Sequence, residues 1–195
     1  MLLPAMNTIF IILLTMKLND FVTHFPALKP NVCQELIDVY ENSIMAQLRH
    51  DNAVQHFSEV NLNQQDPELA QRLVPVITGA VQSYTDFTVP AGDRYFQASY
   101  GLEEMRIKRY DKGDCFNQHV DVGSLASSKR FLAFLFYLND DYQGGKTVFK
   151  TPDTLTISPL TGNVVMFPPT WQYPHAGMPV LSGTKYIMST YLNYV

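Results

Sequence analysis

Near residue 104 the apolar side chains of this chain change their spacing, from every fourth position to short extended runs. Before that point Val32, Leu36, Tyr40, Ile44 and Leu48 form one stripe, and Leu69, Leu73, Ile77 and Val81 form another. A four-residue recurrence places side chains on one face of a helix. Asn31 with Gln34 three later reads as a capping start for the first helix. Asp66-Pro67 reads as a cap with proline at the first position of the second. Pro75 sits inside the second stripe and is expected to kink or divide that helix. After Glu104, residues 105–110, 130–138, 147–150, 155–158, 164–167 and 186–194 read as strands. Turn chemistry separates them, at Asp111-Lys112-Gly113, Gln143-Gly144-Gly145, Pro159 to Gly162, Pro168-Pro169 and Ser182-Gly183. Residues 51–66 and 87–102 read as loops that frame an entrance, the second with a short strand. Two helices followed by at least six short strands predict an α+β fold, with helices outside an antiparallel sandwich or barrel.

The 195 residues suffice for one domain with a sizeable core. The expected division is a hydrophobic extension over 1–16 and a single domain over 17–195. Within that domain, 29–87 would be helical support and about 100–195 the β core. Leu2 to Leu14 is mostly apolar but shorter than the ~20 residues of a membrane span. It also lacks the basic flank and small-residue cleavage site of a secretory leader. A cytoplasmic location is therefore expected, with weak membrane association through 1–16 left open and no membrane partner. Fourteen Lys and Arg against 18 Asp and Glu argue against a surface that neutralises phosphates, so no nucleic-acid partner is expected. Cys33 and Cys115 form no CxxC pair, which disfavours a thiolate zinc site and leaves a disulfide open.

Four residues carry the chemistry. His119 and Asp121 stand two apart, His175 lies far downstream, and Lys185 follows it by ten. Taken singly, the first two read as a surface pair, His175 as a turn histidine and Lys185 as a solvated edge-strand lysine. Taken together, two imidazoles and one carboxylate are the donor set that holds ferrous iron on one face and leaves the other open. In a strand, residues i and i+2 share a face, so His119 and Asp121 are expected to aim together into a barrel mouth. A hairpin from His175 to Lys185 would put both on one inward face. The lysine would lie deeper than the metal, where it can grip the far end of an acidic cosubstrate. His24, His50 and His56 show no ligand spacing.

From Arg106 to the C-terminus the chain resembles the prolyl 4-hydroxylase branch of the Fe(II)/2-oxoglutarate-dependent dioxygenases. The resemblance runs through RYDKGDCFNQHVD, YLNDDYQGGKTVF, SPLTGNVVMFPP and HAGMPVLSGTKY, and the helix holding Pro30-Asn31-Val32-Cys33 is similar to that family's support helix. It implies a double-stranded β-helix, a distorted jelly roll with N-terminal supporting helices. It implies Fe(II) on His119, Asp121 and His175, 2-oxoglutarate as cosubstrate, and ascorbate. Lys185 matches the family's basic partner of the distal carboxylate, and Tyr137 a position that hydrogen-bonds the same group. Tyr110 matches a cosubstrate-contacting tyrosine, with packing beside the metal pocket as an equal reading. Arg130 matches an arginine near the substrate entrance, against a reading as a strand-end charge. The implied activity is hydroxylation of a substrate C–H by molecular oxygen with release of succinate and CO2, on a peptidyl proline. A free amino acid or other small molecule, or a non-catalytic β-sandwich binding module, are the alternatives. Lys146, Ala133, Tyr191 and Phe116 depart from common family residues, which bears on the substrate rather than on the metal set.

Overall fold

The computed structural model describes residues 17–88 and 96–195. The expected hydrophobic extension over 1–16 lies outside the described residues. The first long helix, α1 (Pro30–Asn42), opens on Lys29 as an extended N-cap with Pro30 in the first turn. Proline there loses nothing, because the first-turn N–H groups have no helical partner. The start is thus set by Pro30 rather than by the Asn31/Gln34 box. Cys33, Leu36 and Tyr40 form the buried stripe. Ile44 and Leu48, assigned to that stripe by spacing, fall past the helix end and are exposed. Ser43 accounts for the stop, its Oγ donating back to the Val39 carbonyl.

Helix α2 (Pro67–Thr88) starts where Asp66-Pro67 predicts, with the Asp66 carboxylate accepting from the Leu69 amide at 2.9 Å. Leu69, Leu73, Ile77 and Val81 are all buried. Pro75 does not divide the helix. Pro75 and Gln71, whose carbonyl loses its helical donor, both lie on the exposed face, where that carbonyl is open to solvent. No helix among the described residues is long and apolar enough to cross a membrane.

Most of the remainder is a curled 12-stranded antiparallel sheet and a separate two-stranded one, which form a jelly roll, the double-stranded β-helix. In chain order its strands include β1 (Thr23–Pro26), β2 (Leu48–Asp51), β3 (Gln55–Asn61), β4 (Tyr100–Leu102), β5 (Arg106–Tyr110), β6 (Cys115–His119) and β7 (Arg130–Tyr137). After β8 (Gln143–Gly144) come β9 (Thr147–Phe149), β10 (Leu155–Ile157), β11 (Asn163–Phe167), β12 (His175–Gly177), β13 (Val180–Ser182) and β14 (Lys185–Tyr194). The path runs β1-β11-β7-β14-β5-β3-β6-β12-β9-β10, with β2 on β3, β4 on β14, and β13 paired separately with β8.

Strand β7 explains why the fold has two cores. Leu132, Phe134 and Phe136 point outward under α1 and α2, in one apolar cluster with Leu36, Leu69 and Leu73. Ala133, Leu135 and Tyr137 point into the roll beside Phe149 and Phe167. Successive strand residues face opposite sides, so a strand covered on both sides reads as an unbroken apolar run. Phe134 is fully buried. Phe134→Ala is expected to cost about 3–5 kcal/mol of unfolding free energy, read from urea midpoints.

Strand β3 replaces much of the loop expected over 51–66, and it is central rather than peripheral, pairing with β2, β5 and β6. Its two deepest apolar residues face different cores, Phe57 the roll and Val60 the helices. That arrangement leaves no period-2 alternation to read.

Candidate metal centre

Strand register closes the gap between the two histidines. His175 on β12 stands directly opposite His119 on β6. Opposed residues of an antiparallel pair bring their Cβ atoms to about 5 Å, and the two imidazole centroids lie 4.3 Å apart. Asp121 completes the cluster, with Oδ1 3.4 Å from His119 Nε2 and Oδ2 3.8 Å from His175 Nε2. One ligand atom from each residue lies within 4.8 Å of the others.

Strand alternation is not what delivers Asp121, because β6 ends at His119. Asp121 lies in the bend beyond. Two contacts hold that bend: the Arg130 guanidinium donates to the Asp121 carbonyl at 3.3 Å, and the Val122 amide to the Pro169 carbonyl at 3.1 Å. Arg130 is itself gripped by both carboxylate oxygens of Glu103, each at 2.8 Å, and lies 3.9 Å above the Tyr191 ring. Arg130 is therefore a positioning residue for the acid, a role its place at a strand end conceals.

Both histidines are prepared for the same task. His119 Nδ1 lies 2.7 Å from the Asn117 carbonyl and His175 Nδ1 3.1 Å from that of Tyr173. A carbonyl accepts only, so each Nδ1 carries the proton and each Nε2 presents a lone pair. Burial keeps His175 neutral by pushing its pKa down, partly opposed by Asp121. Burial raises the Asp121 pKa, but His175, His119 and Lys108 more than offset it and hold the carboxyl below its usual range. Two imidazole nitrogens and one carboxylate oxygen facing one point are the donor set of a divalent transition metal. The residues present fit ferrous iron.

Lys185 opens β14, opposite Tyr110 on β5. It is buried, and its Nζ donates to the Gly145 carbonyl at 2.6 Å. Gly145 has a left-handed φ of +60°, and a Cβ there would lie 2.8 Å from the Tyr142 ring and 3.1 Å from Lys185 Cδ, so glycine favours this approach. The pocket between Lys185 and the histidines is walled by Tyr110, Leu135, Thr147 and Ile187. Tyr137 does not reach for the ammonium. Its hydroxyl bonds Thr147 Oγ1 at 2.6 Å, and its ring lies 5.6 Å from Lys185 Nζ. Thr147 is the wall residue that sequence reading missed, although it stands in the Gly-Gly-Lys-Thr segment. Nor do His175 and Lys185 share a hairpin. β12 pairs with β6 and β9, whereas β14 pairs with β4, β5 and β7, so the two residues meet from different walls of the roll. Cys33 and Cys115 are both free, and burial pushes the Cys33 thiol up to about 11.

Burial pulls the Lys185 pKa down to about 7 from its ordinary 10.5. Below pH 7 the folded chain bears the full cost of a buried charge. Between 7 and 10.5 the unfolded chain binds a proton that the folded chain has shed, so stability rises with pH across that window. Without 2-oxoglutarate, the wild type is expected to gain about 2 kcal/mol over Lys185→Met between pH 7 and 9, read from urea midpoints. Equal slopes for the two proteins would refute the assignment.

Residues 105–193, most of the roll, match the family model described as the 2OG-Fe(II) oxygenase superfamily. Over that span the chain is similar to this superfamily, a likeness that points to Fe(II) and 2-oxoglutarate as ligands. The chain is also similar to proteins named as prolyl hydroxylases. It is 25% identical over 180 residues to the "Putative prolyl 4-hydroxylase" of Acanthamoeba polyphaga mimivirus, across 82% of this chain and 68% of that one. A Pseudomonas putida prolyl-4-hydroxylase superposes with a TM-score of 0.72 at 14% identity, covering 89% of this chain and 92% of that one. A Trichoplax adhaerens prolyl hydroxylase, solved with a peptide fragment of the hypoxia inducible factor oxygen degradation domain, gives 0.69 at 14% identity, covering 89% and 84%. At these identities the two solved structures speak to the fold.

Proposed function

We propose that this chain hydroxylates a proline within a peptide, with His119, Asp121 and His175 as the iron ligands and ascorbate as the reductant. The observation that carries this reading is the convergence of two proton-tied imidazoles and one carboxylate beside a buried lysine. When bound, iron and 2-oxoglutarate supply the oxidation: dioxygen, the 2-oxo acid and a substrate C–H give the alcohol, succinate and CO2.

The chain's own side chains do the rest. Asn117 and Tyr173 carbonyls hold the imidazoles by their Nδ1 protons, and Arg130 holds the Asp121 loop by its carbonyl. Lys185 binds the distal carboxylate of the cosubstrate, an ammonium in a dry pocket being a strong partner for an anion. Tyr137 acts through Thr147, orienting its hydroxyl toward that carboxylate. Tyr110 packs on the ammonium, 5.2 Å from Nζ, and closes the pocket against water. Support for a prolyl substrate comes from the relatives, each named for prolyl hydroxylation.

The test is a peptide screen with Fe(II), ascorbate and 2-oxoglutarate, read by succinate release and by the mass gain of one oxygen on a prolyl residue. Oxygen appearing only on free amino acids would replace the peptide with a small molecule. No succinate and no retained iron would overturn the reading.

A further inference from the structure

Above the metal cluster the roll opens into a cavity of about 730 Å³, whose wall includes His119, Asp121, Lys108, Arg106, Arg130 and Glu59. Three cations face it, and two are already neutralised. Arg130 is held by both oxygens of Glu103, and Arg106 lies 2.8 Å from Glu104. Glu59 stands across from Lys108 on β3, but its carboxylate faces His50, at 3.3 Å. Lys108 is the cation left over. It is 8% exposed, and among the described residues it has neither an ion-pair partner nor a hydrogen-bond acceptor for its Nζ. That Nζ lies 5.1 Å from the Phe57 ring centroid and 5.7 Å from that of Phe116, and Phe116 stacks 3.5 Å from His119.

Strand geometry explains its place. On β5, Lys108 and Tyr110 share the inward face, two residues apart. Tyr110 walls the cosubstrate pocket, whereas Lys108 lies one step nearer the mouth, lining both spaces. An ammonium set among aromatic faces with no carboxylate in direct contact is costly, and those faces and the more distant Glu59 and Asp121 offset only part of that cost. Such a group persists where a ligand brings the missing anion.

We propose that Lys108 anchors a carboxylate carried by the substrate, so that the enzyme prefers prolines next to a negative charge. The inference rests on the oxygenase reading above and adds the substrate's chemistry to it. The carboxylate has two sources in a prolyl peptide: the α-carboxylate of a C-terminal proline, or an acidic side chain beside the proline. Either group would pair with the Lys108 ammonium in the cavity that also borders His119 and Asp121.

The experiment measures binding to the Fe(II)- and 2-oxoglutarate-loaded protein without oxygen, by calorimetry. The probes are acetyl-Gly-Pro as free acid and as amide, and acetyl-Asp-Pro-amide against acetyl-Asn-Pro-amide. One acid is expected to bind about 10- to 100-fold more tightly than its neutral twin, the range of a charge-assisted hydrogen bond. The pair that shows the preference identifies the source. Lys108→Met should bring the ratio near one, and Lys108→Arg should keep part of it. Three results overturn the proposal: no preference in the wild type, a preference that survives in Lys108→Met, or a Lys108→Met variant that loses 2-oxoglutarate affinity as strongly as peptide affinity. The last would make Lys108 part of the cosubstrate pocket. Failure of the oxygenase reading shows separately, as wild type that neither retains iron nor forms succinate in air, and the same peptide ratios are then read on the metal-free protein.

Discussion

In His175→Ala, iron retention and succinate formation are expected to fall together, each by more than about 100-fold. That bound exceeds the 10- to 100-fold cost of losing an outer hydrogen-bond partner of a metal ligand, so it separates a donor from a supporting residue. The physical reason is the donor count. Among the described residues three metal-ligating side chains form the cluster, and two donors cannot hold a divalent ion against water as three do. His175 is also 4% exposed and packs against the Phe149 and Phe167 rings. Truncation therefore opens space as well, and His175→Gln serves as the size-matched control. Iron content measured after gel filtration, with circular dichroism to check folding, decides the matter. Full iron content with normal succinate release in both variants would remove His175 from the site.

Lys185→Ala should behave differently. Its KM for 2-oxoglutarate is expected to rise about 100- to 5,000-fold, while iron content stays at the wild-type level. Removing one partner of a buried charge pair costs on the order of 3–5 kcal/mol, because the remaining carboxylate is left in a dry pocket without a counter-charge. Lys185→Arg restores the charge but not the geometry. Gly145 approaches so closely that the larger guanidinium has to displace the 143–145 turn, so partial recovery is the expected result. A KM unchanged in Lys185→Ala would show that the anion is bound elsewhere, and Lys108 would then be the candidate.

Much of this architecture is legible before any coordinates. The six strands expected after Glu104 are present within about one residue at each end, as is the second helix from its Asp66-Pro67 start. These elements are written in local signals, a period or a cap that a few neighbouring residues settle. Strands β3, β6 and β12 are not legible in the same way. β3 shows its apolar residues to two different cores, and β6 and β12 are short and lined with ligand and polar side chains. Their pairing partners supply the extended geometry that their own composition does not demand. The overshoot of the first stripe through Ile44 and Leu48 has the same origin. Spacing continues past Asn42, but the chain has already turned.

The site divides along the same line. Residue types, their spacing and the family resemblance together singled out His119, Asp121 and His175 as the expected donors and Lys185 as the expected cation, because a metal needs particular atoms wherever the chain brings them from. Neither the route of convergence nor the supporting contacts could be read that way. His175 meets His119 through cross-strand register, Asp121 is aimed by Arg130 from outside any strand, and Lys185 arrives from a wall that does not pair with β12. The state of Lys108 is likewise a tertiary outcome. Its sequence neighbours Arg106 and Arg109 are paired with carboxylates while it is not. Charge pairing depends on distances of a few ångströms across strands far apart in the chain, and only packing of the whole roll decides those distances.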